Sequence, residues 1–138
     1  LERAARIPAD GRPLWGSLTR NGMFGHLGEV FQYTMGRRGA GVDRSSWFSR
    51  SIIKPVILSG VVKLPRNVRL PRRPGQPAPM MAEGDLESLE AIIEEYLALA
   101  QNGDLEPRLH PFFGLLSPDE WGRFHVLHTD HHLRQFGV

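Results

Sequence analysis

Histidines are concentrated near the C-terminus of this chain. Four of its six histidines occur within eight residues, namely His125, His128, His131 and His132. His128 and His132 are four residues apart, and in a helix with about 3.6 residues per turn such a pair projects from one face, one turn apart. Both imidazoles can then reach one ion. The spacing therefore predicts a divalent-metal site on a C-terminal helix.

The residues ahead of these histidines carry several signals for the start of that helix. Ser117 can cap it, Pro118 suits the first helical position, and Glu120 is spaced to complete a capping box. Gly137 is a typical residue just beyond a helix. We therefore expect a helix from about Pro118 to Phe136.

The chain has the size and the apolar content of one domain. Its 138 residues are 41% hydrophobic, which is enough for a single core, so we expect one domain over residues 1–138. There is no cysteine, so a metal site must use nitrogen and oxygen ligands. The first residues do not show the charged, apolar and cleavage-site pattern of a signal peptide, and no apolar run approaches the roughly 18 residues that cross a bilayer. We expect a cytoplasmic protein with no membrane partner.

Four further segments are predicted to be helical. Residues 1–7 are predicted to be the last turns of a short or truncated first helix, and a second helix is capped by Thr19 and ends at Met35. A short or kinked helix follows within residues 45–64, and an amphipathic helix runs from Asp85 to Asn102. Gly22, Gly25 and Gly28 each cost the second helix about 1 kcal/mol, so we expect a neighbouring helix to approach closely there. These elements predict an all-α four-helix bundle, in which facing helices supply metal ligands.

Charge is unevenly distributed in the middle of the chain. Five basic residues lie in a proline-rich stretch, namely Lys63, Arg66, Arg69, Arg72 and Arg73, and an acidic helix follows. Such a stretch cannot form a regular helix, and no aromatic interleaving accompanies its arginines. We interpret it as a crossover connection whose arginines are solvated or paired with the acidic helix. No nucleic-acid partner is expected.

A catalytic metal site usually has three protein ligands. His26 is the best candidate for the third, because it lies in the apolar stripe of the second predicted helix, whereas His110 lies in a loop. A competing arrangement uses His125, His128 and His132. Three ligands spread over two turns of one straight helix converge on an ion with difficulty, so we favour the set that includes His26.

Two stretches of the sequence resemble a known family. They are LWGSLTRNGMFGHLGEVFQYTMG, which contains His26, and HPFFGLLSPDEWGRFHVLHTDHHLRQFG, which contains His128 and His132. They are similar to the DinB-like superfamily of metal-dependent proteins, specifically to an uncharacterised branch with a C-terminal His-x-x-x-His-x-x-Gln. The resemblance implies a four-helix bundle with up-down-down-up topology. It also implies His26, His128 and His132 as ligands of a divalent metal ion, zinc or nickel in the first place.

The resemblance also suggests a function. The superfamily includes metal-dependent thiol transferases and a thiol-dependent isomerase, which implies a low-molecular-weight thiol as cofactor and a small-molecule substrate. Metal-dependent hydrolysis is an alternative activity. Two non-enzymatic alternatives are a structural or sensing metal site on the same three histidines, and a binding module whose exposed surface forms a homodimer. Relatives often have a cysteine after the first ligand, where this chain has Leu27.

Other polar residues near the predicted ligands have ordinary as well as functional interpretations. Glu29 either orients an imidazole, acts as a general base, or is a surface carboxylate. Asp130 is half a turn from the paired histidines of the last helix, so we expect it to be solvated. Gln135 either donates to a bound ligand or bridges helices. We expect His125 and His131 to be structural or to lie behind the ligands.

Overall fold

The computed structural model describes residues 1–39, 42–66 and 82–138 of a mostly helical protein. In chain order, the elements are α1 (Glu2–Ala5), α2 (Arg20–Thr34), a π-helical turn (Ser49–Ile53) that continues into α3 (Lys54–Leu58), α4 (Leu86–Asn102), strands β1 (Arg108–His110) and β2 (Gly114–Leu116), and α5 (Pro118–Gln135). Within these ranges, every helix is too short or too polar to cross a bilayer. Of the proline-rich connection, Arg69, Arg72 and Arg73 lie outside the described residues.

Side-chain caps start the three long helices. Thr19 Oγ1 accepts the N–H three residues further on at 2.9 Å, and Asp85 Oδ1 does the same at 2.7 Å. At the start of α5, the N–H of Glu120 donates to Ser117 Oγ at 3.2 Å and the N–H of Ser117 donates to Glu120 Oε2 at 3.0 Å. The predicted starts of α2, α4 and α5 are confirmed, since each depends on residues only three apart.

The segment around Pro55 forms the short, irregular helix that the sequence predicts. Pro55 is the second residue of α3. Just before it, the N–H of Lys54 donates to the carbonyl of Ser49, five residues back, which is a π-helical bond. The wider turn accommodates a proline that has no N–H to donate.

A small antiparallel sheet lies where the sequence predicts only a loop. Strands β1 and β2 pair with Leu109 opposite Leu115. His110 supports the turn between them, because its Nδ1 accepts the N–H groups of Phe112 and Phe113 at 3.2 and 3.3 Å. The all-α prediction is wrong at this point, since strands of three residues are too short to show an alternating pattern.

Two buried apolar clusters hold the elements together. The first takes side chains from α1, α2, α4 and α5, and the second joins α3, the hairpin and α5. Three residues of α2, Met23, Phe24 and Leu27, are at most 2% exposed. Burial of each such side chain contributes about 1.5–3 kcal/mol, so α2 is firmly fixed in the core. Because α2 packs against both α4 and α5, His26 is brought to the side of α5.

Gly25 allows the segment that leads into α4 to pass directly against α2. A Cβ at Gly25 would lie 1.7 Å from the carbonyl oxygen of Ala82, and a Cβ at Gly84 would lie 2.7 Å from the amide nitrogen of Gly25. At Gly28, the nearest atom to a Cβ is Cδ1 of Ile92 in α4, at 3.2 Å. The expected close approach of a helix is confirmed at Gly28, whereas the neighbour of Gly25 is an irregular segment and the nearest atom to a Cβ at Gly22 is Oγ1 of Thr19, the cap of α2 itself.

Substitution Gly25→Ala is expected to lower the free energy of unfolding by about 3 kcal/mol, because backbone atoms of Ala82 occupy the position of the new methyl group. Gly122→Ala is the matched control, since the nearest atom to its new methyl group is the Tyr96 hydroxyl at 3.8 Å. It should stabilise α5 by up to about 1 kcal/mol. Urea unfolding followed by circular dichroism measures both. Equal stabilities for the two variants would show that residues 82–84 are not held against α2.

Candidate metal centre

Three histidines from two helices meet between α2 and α5. His26 Nε2 lies 3.1 Å from His128 Nε2, and His132 Nε2 lies 3.1 Å from the same atom. Their potential ligand atoms all lie within 4.8 Å of one another. The three residues that the sequence predicts as ligands are therefore brought together, across 102 positions of the chain between His26 and His128.

Two of the three distances between these nitrogens suit a common metal ion. Zinc binds imidazole nitrogen at about 2.0–2.1 Å, which puts two such nitrogens roughly 2.9 Å apart at a right angle and roughly 3.3 Å apart at a tetrahedral angle. The two distances of 3.1 Å fall between these values. The cluster of His26, His128 and His132 can hold a metal ion.

Burial keeps all three imidazoles neutral. It lowers the pKa of His26, lowers the pKa of His132 to about 4, and lowers the pKa of His128 well below its ordinary value. The neighbouring rings add to the shift at His128, since a proton there would be repelled by a proton on His132 or His26. Neutral imidazole is the form that binds metals, so the cluster is ready for an ion at pH 7.

Gln135 fixes the orientation of His132. The side-chain amide of Gln135 donates to the backbone carbonyl of Trp15 at 2.7 Å, so its oxygen Oε1 faces His132 Nδ1, 2.9 Å away. That oxygen can only accept, and Nδ1 must therefore carry the proton of the neutral ring. The lone pair of His132 is thus at Nε2, directed at the other two histidines. Gln135 does not bridge two helices, as one of the two interpretations had it; it links His132 to Trp15, which lies outside any helix.

His128 shows why the cluster suits a cation. Its Nδ1 is buried without a hydrogen-bond partner, and its Nε2 faces both neighbouring Nε2 atoms. A neutral imidazole has one proton. If that proton is on Nε2, it can be donated to only one of the two neighbouring Nε2 atoms. On Nδ1, it leaves the Nε2 lone pairs of His128 and His132 facing each other, and the Nδ1–H tautomer of His26 adds a third, so that a cation among them would be stabilised.

Substitution Gln135→Ala is expected to weaken metal binding by roughly 10- to 100-fold, because His132 loses the partner that fixes its tautomer and ring orientation. Gln101→Ala, at an exposed position of α4, is the control. Competition titration with a chromophoric chelator measures both affinities. If Gln135→Ala binds as tightly as Gln101→Ala, Gln135 does not support the site.

The other buried histidines are structural, as expected for His125. The hydroxyl of Thr34 donates to the carbonyl of Phe31 at 2.7 Å, so it accepts from His125 Nε2 at 3.0 Å. The His125 ring also stacks on Phe31, with centroids 3.8 Å apart. His125 is therefore held away from the cluster, which disfavours the alternative set on α5 alone. His131 is in edge contact with Trp15, and its ring centroid lies 5.2 Å from that of His132.

The two carboxylates considered for the site are engaged elsewhere. Asp130 accepts from Arg3 and from Arg134, each at 2.8 Å, and these guanidinium groups lower its pKa. Its position half a turn from the ligands is confirmed, but it is ion-paired and not simply solvated. Glu29 forms a longer ion pair with Arg38 at 3.7 Å. Neither belongs to the group that can hold an ion.

Trp15 is a supporting residue that the sequence analysis missed. Its carbonyl anchors Gln135, and its ring contacts His131. Residue 15 lies between α1 and α2 outside any helix, so no periodic pattern marks it. The only available signal was a large aromatic side chain in a segment otherwise rich in glycine and proline.

The fold and the site define a mostly helical protein with a buried cluster of three neutral histidines that can hold a metal ion. The chain belongs to the family described as "Protein of unknown function (DUF1569)", which it matches over residues 11–137. Searches of curated proteins and of solved structures found no match.

Proposed function

We propose that this chain binds one divalent metal ion, zinc or nickel in the first place, through His26, His128 and His132. The observation that carries the proposal is the convergence of three Nε2 atoms in a buried setting, where one tautomer is already fixed by Gln135. Neutral nitrogen donors without a thiolate suit zinc and nickel. Nothing else in the described surroundings satisfies these lone pairs together.

We further propose that the fold is a DinB-like bundle of α1, α2, α4 and α5 with up-down-down-up topology. Its support is the first apolar cluster, in which Ala4, Phe24, Leu89 and Leu133 bring one side chain from each of these four helices into a common core. The helix α1 is the shortest of the four, with four residues. The site between α2 and α5 has the position that the resemblance implies.

The proposed activity is transfer of a low-molecular-weight thiol to a small electrophilic substrate. When bound, the metal would supply Lewis acidity, which lowers the pKa of a coordinated thiol or water towards about 7. The chain's own contribution is three uncharged donors, which leave the full charge of the ion uncompensated. In the reaction the thiol gives its proton to solvent, its sulfur forms a bond to an electrophilic carbon, and the leaving group departs with the electrons of the bond that breaks. Metal-dependent hydrolysis ranks second, with water in place of the thiol.

The number of protein ligands separates an enzyme from a structural or sensing site. A closed structural site has four protein ligands, whereas a catalytic site commonly has three and keeps a position for substrate. Among the described residues, the group that can hold an ion has three members. This favours the enzymatic proposal over the structural one.

Cobalt substitution tests the open position. The metal-free protein is titrated with Co²⁺, and absorption spectra are recorded with and without 2-mercaptoethanol. We expect the thiol to add a sulfur-to-cobalt charge-transfer band and to alter the ligand-field bands. A cobalt spectrum that saturating thiol leaves unchanged would contradict thiol activation and favour a structural site. Gln101→Ala serves as the control protein, since this exposed residue is remote in sequence from all three histidines.

A further inference from the structure

An exposed apolar surface lies on the far side of α3 from the core. Ile57 and Leu58 are buried in the second cluster, and Lys54 pairs with Glu120 of α5 at 2.8 Å, which fixes the inward face of this helix. Phe48, Ile52 and Val56 are exposed and are spaced four apart along this helical segment, so they lie on one side of it. With their neighbours they form the outer patch, consisting of Trp47, Phe48, Ile52, Ile53, Val56, Val61 and Val62.

The side chains of this outer patch are unusually accessible for their type. Trp47 is 75% exposed, Phe48 54%, Val56 45% and Val61 85%. A group of exposed apolar side chains in one segment usually marks an interaction site, because leaving them in water forgoes a large hydrophobic stabilisation.

Basic residues lie close to the outer patch in the sequence. Residues 42–66 contain five basic side chains and one acidic one, giving this segment a charge of +4. Lys54 is paired with Glu120 and Arg66 lies over the ring of Trp15, so the exposed basic side chains nearest the patch in sequence are Arg44, Arg50 and Lys63. The whole chain has a charge of +2, so the remaining residues together have a charge of −2. Two copies meeting through the same patch would bring like charges together, whereas an anionic surface would attract them. The charge distribution therefore favours an anionic partner over a second copy.

We propose that the outer patch docks this protein on an anionic lipid surface, with Trp47 and Phe48 inserted at the level of the headgroups. Exposed Trp and Phe beside Lys and Arg is the composition of a helix that lies in a membrane interface without spanning it. The expectation of no membrane partner rested on the absence of a spanning segment, and that argument does not apply to a helix lying flat. The proposal is independent of the metal site.

Vesicle binding tests the proposal directly. Vesicles of phosphatidylcholine alone and of phosphatidylcholine mixed with phosphatidylglycerol are sedimented with the full chain. We expect at least tenfold stronger binding to the mixed vesicles, because several basic residues each add attraction near an anionic surface. Raising the salt concentration should weaken this binding. Equal binding to both vesicle types, or none to either, would overturn the proposal.

Matched variants distinguish docking through this patch from nonspecific binding through any exposed apolar side chain. The double substitution Trp47→Ser with Phe48→Ser should weaken binding to the mixed vesicles by roughly tenfold for each aromatic group lost. Its control is Leu97→Ser with Val126→Ser, which removes apolar residues that are 49% and 70% exposed on α4 and α5. The control should bind like the original chain. All four positions are exposed, so both variants should keep their helical circular dichroism.

Sedimentation velocity without lipid tests whether a second copy of the chain covers the outer patch. We expect the chain to be monomeric at the concentrations used for vesicle binding. A dimer that Trp47→Ser with Phe48→Ser converts to a monomer would show that a second copy covers the outer patch, and would overturn the proposal.

Discussion

Substitution His26→Ala is expected to abolish tight metal binding, while His125→Phe leaves it intact. His26 Nε2 is one of three nitrogens that converge between α2 and α5, and a site with two remaining imidazoles on one helix holds an ion poorly. The loss should exceed the roughly 10- to 100-fold that removal of an outer partner costs. His125 is bonded to Thr34 and stacked on Phe31, so its loss removes no ligand.

These two variants also discriminate between the two ligand sets that the sequence allows. A site built on α5 alone from His125, His128 and His132 would lose its ion in His125→Phe and keep it in His26→Ala. Zinc content after dialysis, with chelator competition for the affinity, measures the outcome. Circular dichroism on each variant ensures that a loss of metal is not a loss of fold. The reverse of the expected pattern would refute the interhelical site.

Acidification from pH 7 to pH 4.5 is expected to destabilise the protein by several kcal/mol. Burial lowers the pKa of His110 to about 4 and the pKa of His125 to about 3, and these side chains are 7% and 4% exposed. The unfolded chain takes up a proton on each histidine near pH 6.5, whereas the folded chain does not. Their contribution to stability is therefore complete above about pH 6.5 and is lost as the pH falls towards 4. Between pH 7 and pH 4.5, each accounts for about 2.5 kcal/mol.

The variant His125→Phe isolates one of these contributions. A phenyl ring can keep the stacking on Phe31, and Thr34 keeps its own bond to the carbonyl of Phe31, so stability at pH 7 should change by no more than about 1 kcal/mol. The groups around His125 are Phe31, Thr34, Tyr96, Trp121 and, one turn along α5, His128. Burial raises the pKa of Tyr96 and lowers that of His128, which keeps both side chains neutral.

Urea unfolding of the metal-free protein at pH 7 and pH 4.5 gives the required free energies. We expect the fall in stability between these pH values to be about 2.5 kcal/mol smaller in His125→Phe than in the original chain. Parallel pH profiles for the two proteins would mean that His125 is not held neutral by burial.

The parts of the fold that depend on neighbouring residues could be predicted from the sequence. The start of α5 is set by a reciprocal pair, Ser117 and Glu120, only three positions apart. The caps Thr19 and Asp85 act over the same distance. The irregular helix at Pro55 follows from the chemistry of a single residue. Such signals involve residues close together in the chain, so they can be recognised in the sequence without knowledge of the rest of the molecule.

Features that depend on distant residues were only partly predictable. The hairpin was not predicted because its strands are short. Its turn depends on one imidazole, His110, which accepts two N–H groups. The role of Gln135 stayed open because its partner Trp15 is 120 positions away. Spacing alone identified His128 and His132 as a pair. The choice of His26 required both its place in an apolar stripe and the family resemblance, since no local pattern relates α2 to α5.

The most direct test of the account is X-ray absorption spectroscopy of the protein loaded with zinc. We predict one ion per chain with three imidazole nitrogens at about 2.0–2.1 Å and at least one further light-atom ligand from solvent or substrate. The signal should disappear in His26→Ala and persist in His125→Phe. A zinc ion bound with fewer than three imidazoles, or one whose spectrum is the same in the original chain and in His26→Ala, would contradict the three-histidine centre.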